Sequence, residues 1–195
     1  MDMTGNRGDL WVFGYGSLIW RPGFAFEERT LATVGGYHRA LCIYSHVHRG
    51  SPERPGLVLG LDRGGACRGV AFRVAAALRE ATIAYLRERE QVTLVYREAS
   101  LQATLDDGRR AKALAYIVEQ DHPQYAGRLP LAELVRLVRQ GIGVSGRNID
   151  YVRSTHEHLA ALGIEDHTLA SVIRELDAEP PPAQTAAAGP DDRSA

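Results

Sequence analysis

Glu90 is the side chain of this sequence that first invites acid–base chemistry. Residues 76–91, AALREATIAYLREREQ, contain no Gly or Pro and consist largely of strong helix formers, which predicts a helix. On it Ile83, Leu86 and Glu90 follow at intervals of three and four and share a face, and Leu78, Thr82 and Tyr85 widen the same apolar arc. Arg87 and Glu88 point toward solvent. A carboxylate is thereby turned to the core side, at a helix C-terminus whose dipole disfavours negative charge. Both effects raise a carboxyl pKa toward the range a general acid or base needs near neutral pH. The competing reading is a structural ion pair of Glu90 with Arg89 or Arg97, and helix geometry leaves both open.

A second feature lies far upstream. In WVFGYGSLIW, residues 11–20, a strand-like apolar run breaks into Gly14-Tyr15-Gly16-Ser17 before turning apolar again. Two glycines around a tyrosine let the backbone turn sharply and bring amides close to a ligand, and successive amides make a concavity for anions or oxyanions. A dinucleotide loop is excluded: the sixth position is Ile19, and IWRPGF is no helix start. The bland alternative is a bulge or tight corner of a barrel.

These features need a scaffold. Strand-like segments at 10–14, 31–44, 56–62 and 67–74 are separated by Gly or Pro clusters, and SHVHRGSPERPG predicts a loop of about a dozen residues. Strands return in TLVYREASLQATL and RAKALAYIVE, joined by the hairpin turn DDGR. The last third predicts three helices: LPLAELVRLVRQGI, with Leu131, Leu134, Val135, Val138 and Ile142 at helical spacing; NIDYVRSTHEHLAALG, with an Asn suited to an N-cap and a Gly suited to a C-cap; and HTLASVIREL. The fold class is α+β, a small, mostly antiparallel sheet or barrel with packed helices, over residues 8–177. Residues 178–195, rich in Pro and Ala, form a tail expected to be disordered.

The composition excludes several classes. Basic and acidic side chains number 23 and 24, with no basic stripe for nucleic acid or for a membrane surface. The N-terminus lacks the charged and apolar regions of a signal peptide, and no apolar run has the length of a membrane span, so a cytoplasmic protein is expected. Cys42 and Cys67 lack metal-site spacing and read as small hydrophobes of a reducing compartment. His46 and His48 have no third ligand nearby, and His156 and His158 do not share a helix face, so no metal site is expected. Arg49 and Arg54 are either a carboxylate-binding pair or a solvated loop rim, and Tyr116 and Tyr125 read as core or edge aromatics.

Taken in order, WVFGYGSLIW, HRGSPERPG, GVAFRV, YLREREQVTLVYR and GVSGRNIDYV resemble the ChaC-like γ-glutamylcyclotransferases, which act on glutathione, over about residues 11–175. The resemblance implies a barrel-and-helix domain in which Tyr15, Gly16, Ser17 and Leu18 form the substrate-holding loop and Glu90 is the catalytic acid/base. It adds Asn148 and Tyr151 as residues of the pocket or its support. It implies a small-molecule substrate, no metal or organic cofactor, and cyclisation of the γ-glutamyl group to 5-oxoproline with release of cysteinylglycine. Cyclisation of other γ-glutamyl amides, or a non-catalytic regulatory module on the same fold, are the alternatives. Bacterial members often have Gly where Leu94 stands and Pro where Glu98 stands.

Overall fold

The computed structural model describes residues 8–90 and 94–178. Five strands close into a barrel: β1 (Leu10–Gly14), β2 (Glu28–Ser45), β3 (Gly56–Val74), β4 (Tyr96–Leu105) and β5 (Arg110–Val118). The order is β1-β3-β2-β4-β5, antiparallel throughout, except that β5 returns to β1 in parallel through Trp11↔Ala113 and Val12↔Leu114. Closure pairs most of the edges that an open sheet would carry and leaves one side of the first part of β3 without a strand partner. Small side chains make so narrow a barrel possible: Ala71, Ala103 and Ala113 are fully buried alongside Val12 and Phe72.

The strands of the first half are longer than expected: β2 extends beyond 31–44 at both ends, and one expected break is absent. The segments 56–62 and 67–74 are one continuous strand, because the glycines between them do not end the ladder. Gly36, Gly64 and Gly65 take φ of 81°, 99° and 71°, and the β2–β3 register slips between Gly35 and Tyr37. Glycine supplies a bulge that bends the ribbon without breaking it. The DDGR turn closes the β4–β5 hairpin as expected, with Gly108 at φ 85°.

The helices are α1 (Arg79–Glu90), α2 (Leu131–Gln140), α3 (Asn148–Ala160) and α4 (His167–Ala178), and a short hairpin of β6 (Ile142–Gly143) and β7 (Gly146–Arg147) stands between α2 and α3. The last three helices pack on one another, and α2 packs on β3. A 3-10 turn, Ala76–Leu78, precedes α1; its tighter pitch takes Leu78 off the apolar arc, and the side chain is 43% exposed. Ile142 is likewise not on the α2 stripe: the helix stops at Gln140, Gly141 is extended, and Ile142 is exposed in β6. Gly163 does terminate α3, with its own amide on the Ala160 carbonyl and the Ile164 amide on that of Leu159. Asn148 does not cap that helix. Arg147 occupies the N-cap position without a side-chain bond, because the Asn148 amide is engaged elsewhere. Ala178 ends α4, and the expected tail beyond it lies outside the described residues.

Candidate functional site

The edge of β3 explains why α3 sits where it does. Leu57 and Leu59 turn their backbone groups away from β2, toward an edge that β1 reaches only from Val70 onward. Asn148, fully buried, accepts from Leu57 N at 2.6 Å through Oδ1 and donates to Leu57 O at 2.7 Å through Nδ2. One helical turn later the Tyr151 hydroxyl accepts from Leu59 N at 3.2 Å, while the Tyr96 hydroxyl of β4 donates to Leu59 O at 2.7 Å. Side chains thus complete the ladder where no strand is available. Asn148 supports the site from behind, whereas Tyr151 and Tyr96 reach through to line a cavity of about 800 Å³.

The corner after β1 forms one wall of that cavity, contributed by Tyr15, Gly16, Ser17 and Leu18. Its carbonyls are turned back into the protein: Tyr15 O accepts from Arg39 Nε at 2.6 Å, Gly16 O from Ile19 N at 2.9 Å and Ser17 O from Arg21 N at 2.9 Å. Residues 17–19 form a single 3-10 turn, and the Gly16 and Ser17 amides at its head donate to no other described residue. Gly14 permits this turn, since a Cβ there would lie 3.1 Å from the Leu18 Cβ.

Glu90, the last residue of α1, lines the same cavity, with 18% of its side-chain surface exposed. Burial pushes its carboxyl above the ordinary 4.5, and the neighbouring Arg89 charge pulls it partly back. The carboxylate pairs with Arg89 (Nε to Oε1, 3.3 Å) and also lines the pocket, so the ion pair does not take it out of the cavity. Arg97 is not a partner, being bound to Glu119 at 3.1 Å. Tyr15 is buried and Tyr96 half-buried around the same cavity; desolvation holds both phenols well above the usual tyrosine range, and the Glu90 carboxylate pushes in the same direction.

The outer wall is a junction of the 46–55 loop with the β6–β7 hairpin. Val144 N donates to Val47 O at 2.9 Å and Ser145 N to His48 O at 3.0 Å. The backbones meet so closely that a Cβ on Gly143 would lie 2.3 Å from Val47 O, and one on Gly56 would lie 2.1 Å from Arg49 O. Arg49 leans on this wall, over the Tyr151 ring at 5.3 Å and donating to Ser145 O at 2.5 Å. Arg54 is not part of the site; it borders a separate cleft along α2.

His46 and His48 line the cavity, but His46 stacks on Tyr44 and His48 bonds Ser145 Oγ at 3.0 Å. Among the described residues no group of three His, Cys, Asp or Glu is placed to hold a metal ion. Cys42 and Cys67 are free and buried, and desolvation pushes the Cys42 thiol up to about 12. No described helix is long and apolar enough to cross a membrane.

Several lining residues were not legible as such, among them Tyr96, Tyr116, Arg21 and Arg89. Tyr116 reads as a core aromatic, yet it lines the pocket. The hairpin register set by DDGR places it opposite Glu98, on the face that also carries Tyr96, so the turn contained the signal. Arg21 and Arg89 enter because the 3-10 turn folds onto the end of α1, which no local pattern encodes.

Comparison with known proteins agrees with this architecture. The family model described as ChaC-like protein matches residues 10–179. The chain is 34% identical over 168 residues to the glutathione-specific gamma-glutamylcyclotransferase of Escherichia coli (strain K12), covering 86% of this chain and 73% of that protein. It is 33% identical over 177 residues to glutathione-specific gamma-glutamylcyclotransferase 1 of Homo sapiens, covering 86% and 80%. Among solved structures, a selenomethionine-labelled gamma-glutamyl cyclotransferase specific to glutathione from yeast superposes with a TM-score of 0.79 at 22% identity, over 88% of this chain and 96% of that one; at that identity the likeness is one of fold.

Proposed function

The chain belongs to the ChaC-like family, and on that premise we propose that it is a cytoplasmic γ-glutamylcyclotransferase that degrades glutathione to 5-oxoproline and cysteinylglycine. One observation carries the reading: a carboxyl group raised by burial shares a cavity with an amide-bearing corner suited to an anion. The cavity volume, about 800 Å³, falls in the usual range for small-molecule sites. Arg21, Arg49 and Arg89 outnumber Glu90 and Asp150 on its walls, which favours an anionic ligand.

The substrate carries both reacting groups. Its α-amine attacks its own γ-carbonyl carbon, the new C–N bond closes a five-membered ring, and the bond to the cysteinyl nitrogen breaks. Holding the folded conformer therefore supplies much of the acceleration, without an enzyme nucleophile. Glu90 takes the proton that the α-ammonium must lose and returns it to the departing amine, so its protonation state is restored each turnover. The Gly16 and Ser17 amides, with the Ser17 hydroxyl, hold the glutamyl α-carboxylate or the oxyanion that forms at the γ-carbonyl. Arg49, which lines the cavity on the side of the β6–β7 hairpin, meets the carboxylate of the leaving dipeptide in this reading.

Incubation of the purified protein with glutathione should yield cysteinylglycine and 5-oxoproline in equal amounts. Failure with glutathione but success with γ-glutamyl dipeptides would shift the substrate class; failure with both would leave a binding module. The pH dependence of kcat/KM has a determined sign. Burial favours the neutral form of Glu90, so the active base appears only above its raised pKa, and the acid limb should lie at higher pH than an ordinary Glu, above 4.5. A limb at or below that value contradicts the assignment of Glu90 as the base.

A further inference from the structure

We propose that Arg89 is a positioning residue that couples the Tyr15–Leu18 corner to Glu90, orienting the Ser17 hydroxyl as a donor into the cavity and holding the carboxyl in place; the proposal rests on the assignment of Glu90 as acid/base. Arg89 spreads its donors over both parts of the site. Nη1 donates to Arg21 O at 2.6 Å, to Tyr85 Oη at 2.9 Å and, at 3.3 Å, to Pro22 O, while Nη2 donates to Ser17 Oγ at 3.0 Å. Nε lies 3.3 Å from Glu90 Oε1. The guanidinium thus ties the residues that follow the corner, a tyrosine one turn back on α1, the corner hydroxyl and the carboxylate into one cluster.

The direction of the Ser17 bond has a chemical consequence. A guanidinium has donors only, so Ser17 Oγ must accept from it, and the hydroxyl's one hydrogen is left for another acceptor. Ser17 lines the cavity, where that acceptor is a carboxylate or developing oxyanion of the ligand. A lysine places all its donors on one nitrogen and cannot reach the same set of acceptors. Charge adds a second link. The ionisable groups acting on or facing Glu90 are Arg89 on its own helix, Tyr15 beyond β1, Tyr96 on β4, Tyr116 on β5 and Tyr151 on α3; Arg89 is the cation among these described residues.

The test is the pH profile of kcat/KM with glutathione for wild type, Arg89→Met, Arg89→Lys, Ser17→Ala, the Arg89→Met/Ser17→Ala double variant and Glu90→Gln. Arg89→Met should lose about 10²-fold, the order expected when reacting groups are displaced by an ångström. Its acid limb should move to higher pH. Arg89→Lys should return the limb toward its wild-type position while recovering less of the rate. Ser17→Ala should cost less in the Arg89→Met background than in wild type, because the hydroxyl has already lost its orientation. An unmoved limb, or losses that simply multiply, overturns the proposal. If Arg89→Met does not fold, the same Ser17 cycle on Arg89→Lys decides it, with multiplying losses again as the negative result. Inactive Glu90→Gln beside an unaffected Arg89→Met sinks the coupling alone, whereas active Glu90→Gln removes the acid/base assignment and the proposal with it.

Discussion

Glu90→Gln should lower the release of 5-oxoproline from glutathione by at least the roughly 10²–10⁴-fold that a positioned acid–base group contributes. Glutamine matches glutamate in shape and keeps an oxygen near Arg89 Nε, so the corner and the cavity walls should stay in place. It cannot accept the proton of the α-ammonium, so a folded substrate remains protonated at the atom that must attack. Glutathione binding, followed by calorimetry, should persist. Stability should not fall at neutral pH. A carboxyl whose pKa is raised on folding favours the folded state below its ordinary pKa and loses that advantage as pH rises through the raised value, so removing its charge relieves a cost. Near-wild-type turnover in this variant would show that the proton moves through another group.

Asn148→Ala should produce the largest loss of stability, with its effect on turnover following from that. The side chain is fully buried and is the partner of both the amide and the carbonyl of Leu57. Each buried backbone group left without a partner costs about 1–3 kcal/mol, so the loss should be about 2–6 kcal/mol. For a chain of this size that corresponds to a fall in Tm of roughly 5–20 °C. Asn148→Asp should not rescue it, because a carboxylate satisfies the Leu57 amide but turns an oxygen against the Leu57 carbonyl. Thermal and urea unfolding measure both variants; an Asn148→Ala Tm within a degree of wild type would mean that the β3 edge is satisfied in some other way.

Leu94 and Glu98, the two positions where the sequence resemblance leads one to expect Gly and Pro, occupy different settings. Leu94 takes φ of 59° and is 70% exposed, so a residue with a side chain occupies a conformation that glycine adopts freely. Glu98, where a proline would donate nothing and accept nothing through its side chain, receives both Arg87 Nε (2.7 Å) and Nη2 (3.0 Å), together with the Tyr116 hydroxyl at 3.2 Å. That cluster lies at the outer end of Tyr116, whose ring reaches the cavity, so it braces a wall of the pocket.

What was readable from the residues alone was whatever depends on short-range periodicity. The spacing of Ile83, Leu86 and Glu90 turns a carboxyl inward on any regular helix. The DDGR turn dictates the β4–β5 register, and Gly163 ends α3 by the conformation only its kind adopts at no cost. The order of the motifs carried the family. Tertiary structure decided the rest, because the contacts that matter join segments far apart in the chain. Asn148 looks like a helix cap by position, but the unpaired edge of β3, some ninety residues away, competes for its amide and wins because burial makes an unmet backbone group costlier than an uncapped exposed helix start. Arg89 looks like the obvious partner that would neutralise Glu90; only the folding of residues 16–22 onto the end of α1 turns it into a bridge between two parts of one site. Local pattern thus determines which way a side chain faces, and the closed barrel determines what it meets there.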